Sequence, residues 1–175
     1  MRKVKLVSFI VLLLLMNMSF MPCGKSKINW LTPKELKAAY EKQPKPIMVD
    51  VYTDWCGWCK VMDKDTYSNT NVADYINEHY YALKFNAESR DSVEFGSKKY
   101  GYSNQNRTNE LADYLLFGQM SFPSTVFLSA IDAQPAPIPG YLKPKELEAP
   151  LKYFGDGAYG RQNFPEYMKG FKAAW

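Results

Sequence analysis

The sequence IMVDVYTDWCGWCK, residues 47–60, decides the fold of this chain. Its first six residues, 47–52, are an apolar run broken by one acid, which is typical of a strand covered on both faces. Cys56 and Cys59 follow at C-x-x-C spacing. Cysteines three apart on the first turn of a helix lie on one face, so their sulfurs can close a small disulfide ring. The stretch therefore predicts a buried strand that delivers a redox dithiol to the start of a helix.

The two cysteines are expected to have different roles. Cys56 stands at the helix start, where unpaired backbone N–H groups favour a thiolate, and Lys60 adds a nearby positive charge. We therefore predict Cys56 as the nucleophile, Lys60 as a supporting residue and Cys59 as the resolving thiol. The alternatives are a stable structural disulfide or half of a zinc site. A zinc site needs a second Cys/His pair, but only Cys23 and His79 remain, so we expect neither a metal nor an organic cofactor.

Length and composition bound the class of protein. The chain has 175 residues, of which 46% are apolar and 23% charged, values close to those of an ordinary globular protein with one domain. The formal net charge is +4, but the lysines are scattered among acids. A nucleic-acid-binding surface needs clustered basic residues and a recognition motif. Nucleic acid is therefore excluded as a partner.

The N-terminus has the pattern of an export signal, because basic residues precede the apolar run 6–16. That run is short for a membrane span, although residues 17–21 could extend it. Cys23 follows at the distance found in bacterial lipoprotein signals, which makes it a candidate lipid attachment site. We predict an export signal or a membrane or lipid anchor over 1–23, a linker over 24–31 and one domain over 32–175.

The rest of the chain alternates predicted helices and strands, which indicates an α/β sheet with helices on both faces. Thr32 begins the first helix with a capping box and Pro44 ends it. The further predicted helices span 57–68, 71–78, 92–100, 111–117, 144–154 and 164–171, and the further strands span 81–86 and 124–129, with a short proline-rich edge strand within 132–139.

Residues 47–60 resemble the active-site strand and motif of the thioredoxin superfamily. In that family an acid stands six residues before the first cysteine, and Asp50 matches it. The resemblance implies that this buried carboxyl takes and returns the proton of the resolving thiol, with a pKa raised by burial. The alternative is an inert, salt-bridged acid. Lys84 matches a family lysine near that acid, or is an ordinary solvated lysine.

A second feature of the family is a cis-proline loop that faces the cysteines. Phe122 and Pro123 stand at its place, directly before the predicted strand 124–129, and an X–Pro bond takes the cis form at modest cost. The family pairs the backbone before that proline with a substrate chain, as in strand addition. The residues that we expect to bind substrate are Trp55, Gly57, Trp58, Phe122 and Pro123.

The resemblance covers residues 46–151 and implies a thioredoxin-like fold, with a central mixed β-sheet flanked by helices. Two departures stand out. Trp58 replaces the proline usual in cytosolic thioredoxins, and 104–119 is expected to be an insertion before the cis-proline strand. Gly140-Tyr141 and the aromatic residues that follow are similar to those of exported thioredoxin-like proteins of bacterial envelopes.

The resemblance thus implies a thiol–disulfide oxidoreductase of the periplasm or cell envelope, acting as a reductase on protein disulfides. Electrons would come from a membrane or periplasmic dithiol protein, because the envelope lacks the reducing pool of the cytosol. An alternative is a binding module or copper metallochaperone, in which the same two sulfurs hold a partner or a soft metal ion.

Overall fold

The computed structural model describes residues 27–175. The predicted export signal, the candidate lipid site Cys23 and the first residues of the predicted linker lie outside the described residues. The strands are β1 (Trp30–Leu31), β2 (Ile47–Tyr52), β3 (Tyr81–Asn86), β4 (Val93–Phe95), β5 (Lys98–Tyr100), β6 (Tyr102–Ser103), β7 (Thr108–Asn109), β8 (Ser124–Leu128) and β9 (Ala136–Pro139). The helices are α1 (Pro33–Lys42), α2 (Gly57–Met62), α3 (Thr70–His79), α4 (Glu110–Leu116), α5 (Pro144–Gly155) and α6 (Phe164–Gly170). A π-helical turn, Asp63–Tyr67, extends α2, and a 3₁₀ turn, Ala158–Gly160, follows α5.

The central sheet has the strand order β1-β3-β2-β8-β9. Strands β1 and β2 both run parallel to β3, whereas β8 pairs antiparallel with β2 and with β9. The sheet is therefore mixed, as predicted. The register places Asp50 opposite Lys84 on β3 and Thr125 on β8.

The core lies on both faces of this sheet. Because side chains alternate along a strand, Val49 and Val51 pack with α1 and α4 in one cluster. Met48 packs on the opposite face against Met62 and Phe127, together with apolar residues of α3 and α5. Asp50 is two residues from Met48, so its side chain lies on the same face of β2. A carboxyl group is therefore placed in the apolar layer under α2.

The segment 92–100, predicted as a helix, is instead the β4–β5 hairpin. Gly96 turns the chain with a φ of +59°, a conformation that glycine adopts without a steric penalty. Val93 and Phe95 are buried and Glu94 between them is exposed, which is the period of a strand. The prediction of a helix was wrong because packing of the alternating side chains against the rest of the protein favours strands in this segment.

The segment 104–119, predicted as an insertion, is only partly a surface addition. Its first part closes the β6–β7 hairpin, but its second part contains α4. Leu111 and Leu115 of that helix are fully buried in the core cluster around Val49. The helix is therefore one of those that cover the sheet, and a pattern of apolar residues four apart already indicated its buried face.

A short strand lies within the predicted linker 24–31. Trp30 and Leu31, at the end of the predicted linker, pair with Ala82 and Leu83 on the central sheet. A strand of two residues is too short to give a pattern in the sequence, so only the structure shows it. The helices in the described part of the chain are all too short or too polar to cross a bilayer.

Candidate active site

The two cysteines are joined in a disulfide at the start of α2, with a Cα–Cα distance of 5.3 Å. Cys56 is the N-cap residue of that helix, and its sulfur accepts a hydrogen bond from the backbone N–H of Cys59 at 3.1 Å. Its own N–H donates to the carbonyl of Thr53 at 3.1 Å. The turn after β2 therefore aims the Cys56 sulfur at free helix N–H groups, which stabilise a thiolate after reduction.

The disulfide is almost closed off from solvent, since each cysteine is only 4% exposed. Lys60, predicted to support the thiolate, has an exposed side chain that makes no ion pair with any residue of 27–175. Its role stays a prediction that rests on charge alone. Gly57 faces open space, because an added Cβ would meet no atom within 4 Å apart from its chain neighbours.

Asp50 is buried in the central sheet, with 1% of its surface exposed. Its carboxylate accepts hydrogen bonds from Lys84 Nζ at 2.7 Å and from the Tyr67 hydroxyl at 3.5 Å. Burial raises the pKa of Asp50, and the charge and hydrogen bond of Lys84 offset part of that increase. The raised pKa has the direction that proton exchange with a thiol requires, and the role of Asp50 in that exchange stays a prediction.

Lys84 links this buried acid to the surface. Besides Asp50 it pairs with Asp63 Oδ1 at 2.5 Å. Burial lowers the pKa of Lys84, but the attraction and hydrogen bonds of the two carboxylates outweigh it and leave the pKa raised. Lys84 therefore stays charged and is held by two carboxylates, one of them the buried acid.

Three aromatic rings surround the Lys84 ammonium. Its Nζ lies 5.2 Å from the ring centroid of Trp30, 4.9 Å from that of Tyr52 and 5.8 Å from that of Tyr67. Sequence reasoning missed these rings and Asp63 as parts of the site. Asp63 could have been found, because it follows Cys59 by one helical turn, whereas the contact of Trp30 depends on strand pairing.

Exposed aromatic side chains border the disulfide on two sides. Trp55 is 67% exposed, packs edge-on against Phe122 with centroids 6.0 Å apart, and donates its indole N–H to Glu88 at 3.0 Å. Trp58 is 62% exposed and lies 5.6 Å from the ring of Tyr141. We call these four rings the aromatic rim. Tyr141 was not predicted as a site residue, and its position depends on the loop after β9.

The Phe122–Pro123 peptide bond is cis, as the resemblance implied. Pro123 is buried, and its carbonyl accepts a hydrogen bond from Gly140 at 2.8 Å. The contact of Phe122 with Trp55 brings this loop beside the dithiol. The structure thus brings the predicted substrate-binding residues together, and their role in binding stays a prediction.

His79 lies away from this site. Its Nδ1 is 3.1 Å from the carbonyl of Tyr75, and its ring stacks on the Tyr75 ring at 4.0 Å. The residue therefore packs at the end of α3. Within residues 27–175, no group of three or more His, Cys, Asp or Glu side chains is arranged to hold a metal ion.

Comparison with known proteins identifies the same family that the cysteine motif resembles. Residues 32–155 match the family described as Thioredoxin-like domain. The chain belongs to this family. Among curated proteins, this chain is similar to the thiol:disulfide interchange protein DsbD of Pectobacterium atrosepticum, with 40% identity over 43 residues. That match spans 25% of this chain and only 8% of DsbD.

Solved structures agree on the thioredoxin-like fold. The DsbH oxidoreductase aligns with a TM-score of 0.54 and 16% identity, over 80% of this chain and 92% of its own. A thioredoxin from Thermus thermophilus aligns with a TM-score of 0.55 and 16% identity, over 80% of this chain and 98% of its own. At these identities the likeness concerns the fold alone.

Proposed function

We propose that this chain is a thiol–disulfide oxidoreductase that exchanges disulfides with partner proteins through Cys56 and Cys59. The observation that carries the proposal is the disulfide between these residues at the start of α2, directly after the strand that holds the buried Asp50. The aromatic rim around the nearly buried sulfurs supports a polypeptide as the substrate. The name of the similar curated protein, a thiol:disulfide interchange protein, supports the same class of reaction.

In the reductase direction, the reduced chain begins with a Cys56 thiolate. This thiolate attacks one sulfur of the partner disulfide, so a Cys56–partner bond forms and the other partner sulfur leaves as a thiolate. Asp50 accepts the proton of the Cys59 thiol, and the resulting thiolate attacks Cys56. The second partner sulfur leaves and takes up a proton, and the Cys56–Cys59 disulfide is restored. Two electrons pass from the chain to the partner.

The chain must then be reduced again by another dithiol. A membrane or periplasmic donor is the class of protein that fits, because an envelope protein has no access to cytosolic reductants. The same steps run in reverse if the partner is the more reducing dithiol. No metal or organic cofactor takes part in any of them.

We expect the full chain to catalyse the reduction of insulin disulfides by dithiothreitol, with Cys56–Cys59 cycling between its two states. The Cys56→Ser/Cys59→Ser double variant is the matched control and should fall to the uncatalysed rate. Equilibration with glutathione buffers, followed by alkylation of free thiols, should show a two-electron transition that the control lacks.

A different outcome would favour the alternative function. If the wild type gave no catalysis and no two-electron transition, the oxidoreductase proposal would be wrong. Tight binding of one Cu(I) per chain, lost in the same double variant, would then identify a metallochaperone.

We also propose that the chain is exported and attached to the envelope membrane through its first 23 residues. The support is the basic and apolar pattern before Cys23. The wild type should be found in the membrane fraction, and Cys23→Ser should release it to the soluble envelope fraction. A variant that stays on the membrane would assign the anchor to the apolar run 6–16, and a cytosolic wild type would contradict export.

A further inference from the structure

Residues 156–175 lie beyond the residues 32–155 that match the family. They pack on the face of the central sheet that also carries Met48, α3 and α5. We call residues 171–175 the tail. Its last residue, Trp175, packs against the same core cluster as α3 and α5. This segment therefore packs as part of the domain, although it lies beyond the family match.

A buried carboxylate fixes the tail. Glu148 of α5 is 0% exposed, and its oxygens accept the backbone N–H groups of Ala174 at 2.7 Å and Trp175 at 3.2 Å. Lys152 Nζ completes the site at 2.7 Å. Burying a carboxylate is costly unless charge and hydrogen bonds satisfy it, and here all three partners do so. The indole of Trp175 then packs edge-on near Tyr75, with centroids 5.9 Å apart.

The fixed indole forms one wall of a groove of about 570 Å³ beside the active site. Tyr141 and Pro144 supply further apolar lining. Tyr141 also contacts Trp58 of the aromatic rim. Tyr141 therefore joins the groove to the aromatic rim.

The groove carries a net positive charge, because the side chains in its lining include two lysines and one carboxylate. Lys143 and Lys145 both line it, have exposed side chains, and form no ion pair within residues 27–175. The one carboxylate in the lining, Glu146, accepts the backbone N–H of Lys143 at 2.8 Å. On the other side of the disulfide, Glu88 lies beside Trp55. The charges thus favour an acidic segment on the groove side of the site.

We propose that this groove binds a segment of the partner polypeptide that carries an apolar side chain next to acidic residues. It thereby selects protein disulfides by the sequence near the reacting cysteine. The proposal rests on the proposed function, because the occupant is the oxidoreductase's own substrate. The apolar side chain packs against Trp175 and Tyr141, and the acidic residues face Lys143 and Lys145.

Defined peptides test this selection. The substrates are peptides with a single cysteine, activated as a 2-thiopyridyl disulfide. Each peptide carries the sequence Phe-Glu-Glu, Ala-Glu-Glu or Phe-Lys-Lys, placed either before or after the cysteine. The sequence stands roughly three to six residues from the cysteine, a spacing set by the reach of an extended chain. The reduced full chain attacks the peptide sulfur, and thiopyridone leaves. Each rate constant is divided by that of the same protein with neutral 2,2′-dithiodipyridine, which has no peptide to place in the groove.

The variants separate charge from packing. For the wild type we expect Phe-Glu-Glu to react about tenfold faster than Phe-Lys-Lys and about fivefold faster than Ala-Glu-Glu, on one side of the cysteine. Lys145→Glu should remove or reverse the charge preference, and Trp175→Ala should remove the preference for Phe. Lys42→Glu makes the same charge change on α1, across the sheet, and should retain both. The charge preference should also fade in about 1 M salt, where the Debye length is ~3 Å.

Three results would overturn the proposal. Equal normalised rates for all peptides with the wild type would show that the groove selects nothing. Equal effects of Lys145→Glu and Lys42→Glu would show that only net charge matters. A wild-type dimer in sedimentation equilibrium that Lys145→Glu dissociates would show that a second copy covers the groove. If the wild type fails to react even with dithiodipyridine, the proposed function itself is wrong.

Discussion

Replacement of Cys59 by alanine in the full chain is expected to trap covalent complexes between Cys56 and partner proteins. The structure places Cys56 at the helix start, where its sulfur accepts the N–H of residue 59, a bond that the alanine backbone still provides. The variant should therefore attack disulfides as the wild type does. Release should fail, because the intramolecular thiol is absent.

The expected effect on release is very large. Attack by a neighbouring group can have an effective concentration of about 10⁵ M or more, whereas an external thiol is present at millimolar levels at most. The complexes should thus survive non-reducing electrophoresis and disappear on addition of excess dithiothreitol. Cys56→Ala/Cys59→Ala is the matched control and should trap nothing. Trapping by Cys56→Ala instead would show that Cys59 is the nucleophile.

Asp50→Asn is expected to slow release of the partner by roughly 10²-fold near pH 7, the usual size of general acid–base catalysis. The asparagine keeps the volume and can still meet Lys84, but it cannot accept the proton of Cys59. The first attack by Cys56 should change little. Single-turnover mixing with a protein disulfide, quenched by acid, separates attack from release.

The pH profile identifies the proton acceptor. In the wild type, release should accelerate as pH rises through the raised pKa of Asp50 and level off before free thiols titrate, near 8.5. In the variant, release should keep rising until Cys59 itself ionises, so the two profiles converge at high pH. Asp65→Asn, an exposed acid in the turn after α2, is the control and should match the wild type. A constant ratio of rates at every pH would contradict the role.

The same substitution predicts a change in stability. Because folding raises the pKa of Asp50, the folded state binds its proton more tightly, and this group stabilises the fold at low pH and less as pH rises through its folded pKa. The difference in the free energy of unfolding between Asp50→Asn and the wild type should therefore be more favourable to the variant at pH 7 than at pH 4. Urea unfolding of the oxidised protein at both values measures the difference. A larger gain at pH 4 would contradict the raised pKa.

Local patterns predicted the centre of the fold well. The apolar run 47–52 gave β2, the cysteine spacing gave the disulfide, and the match of Asp50 and Lys84 to the family gave two residues that lie 2.7 Å apart. These features depend on residues close in sequence or on motifs with a fixed geometry. They could be read without knowing how distant segments pack.

The features that the sequence did not predict depend on contacts between residues far apart in the chain. The pattern of 92–100 suits a helix or a strand, and packing against the sheet selects the hairpin. Trp30 contacts Lys84 only because a two-residue strand pairs with β3. The groove next to Tyr141 depends on a tail fixed by Glu148. None of these contacts leaves a signal in a short window of sequence.

The burial of both sulfurs has a consequence for which cystines the chain can attack. Each cysteine exposes only 4% of its surface, while the indoles beside it project outward. A cystine lying flat on a rigid, folded surface would touch the indoles first and stop short of bonding distance. A disulfide on a protruding loop, or in an unfolded chain, meets less obstruction from the two indoles. Under the proposed function, we therefore expect recessed disulfides of folded proteins to react more slowly than the same disulfides in the unfolded chains.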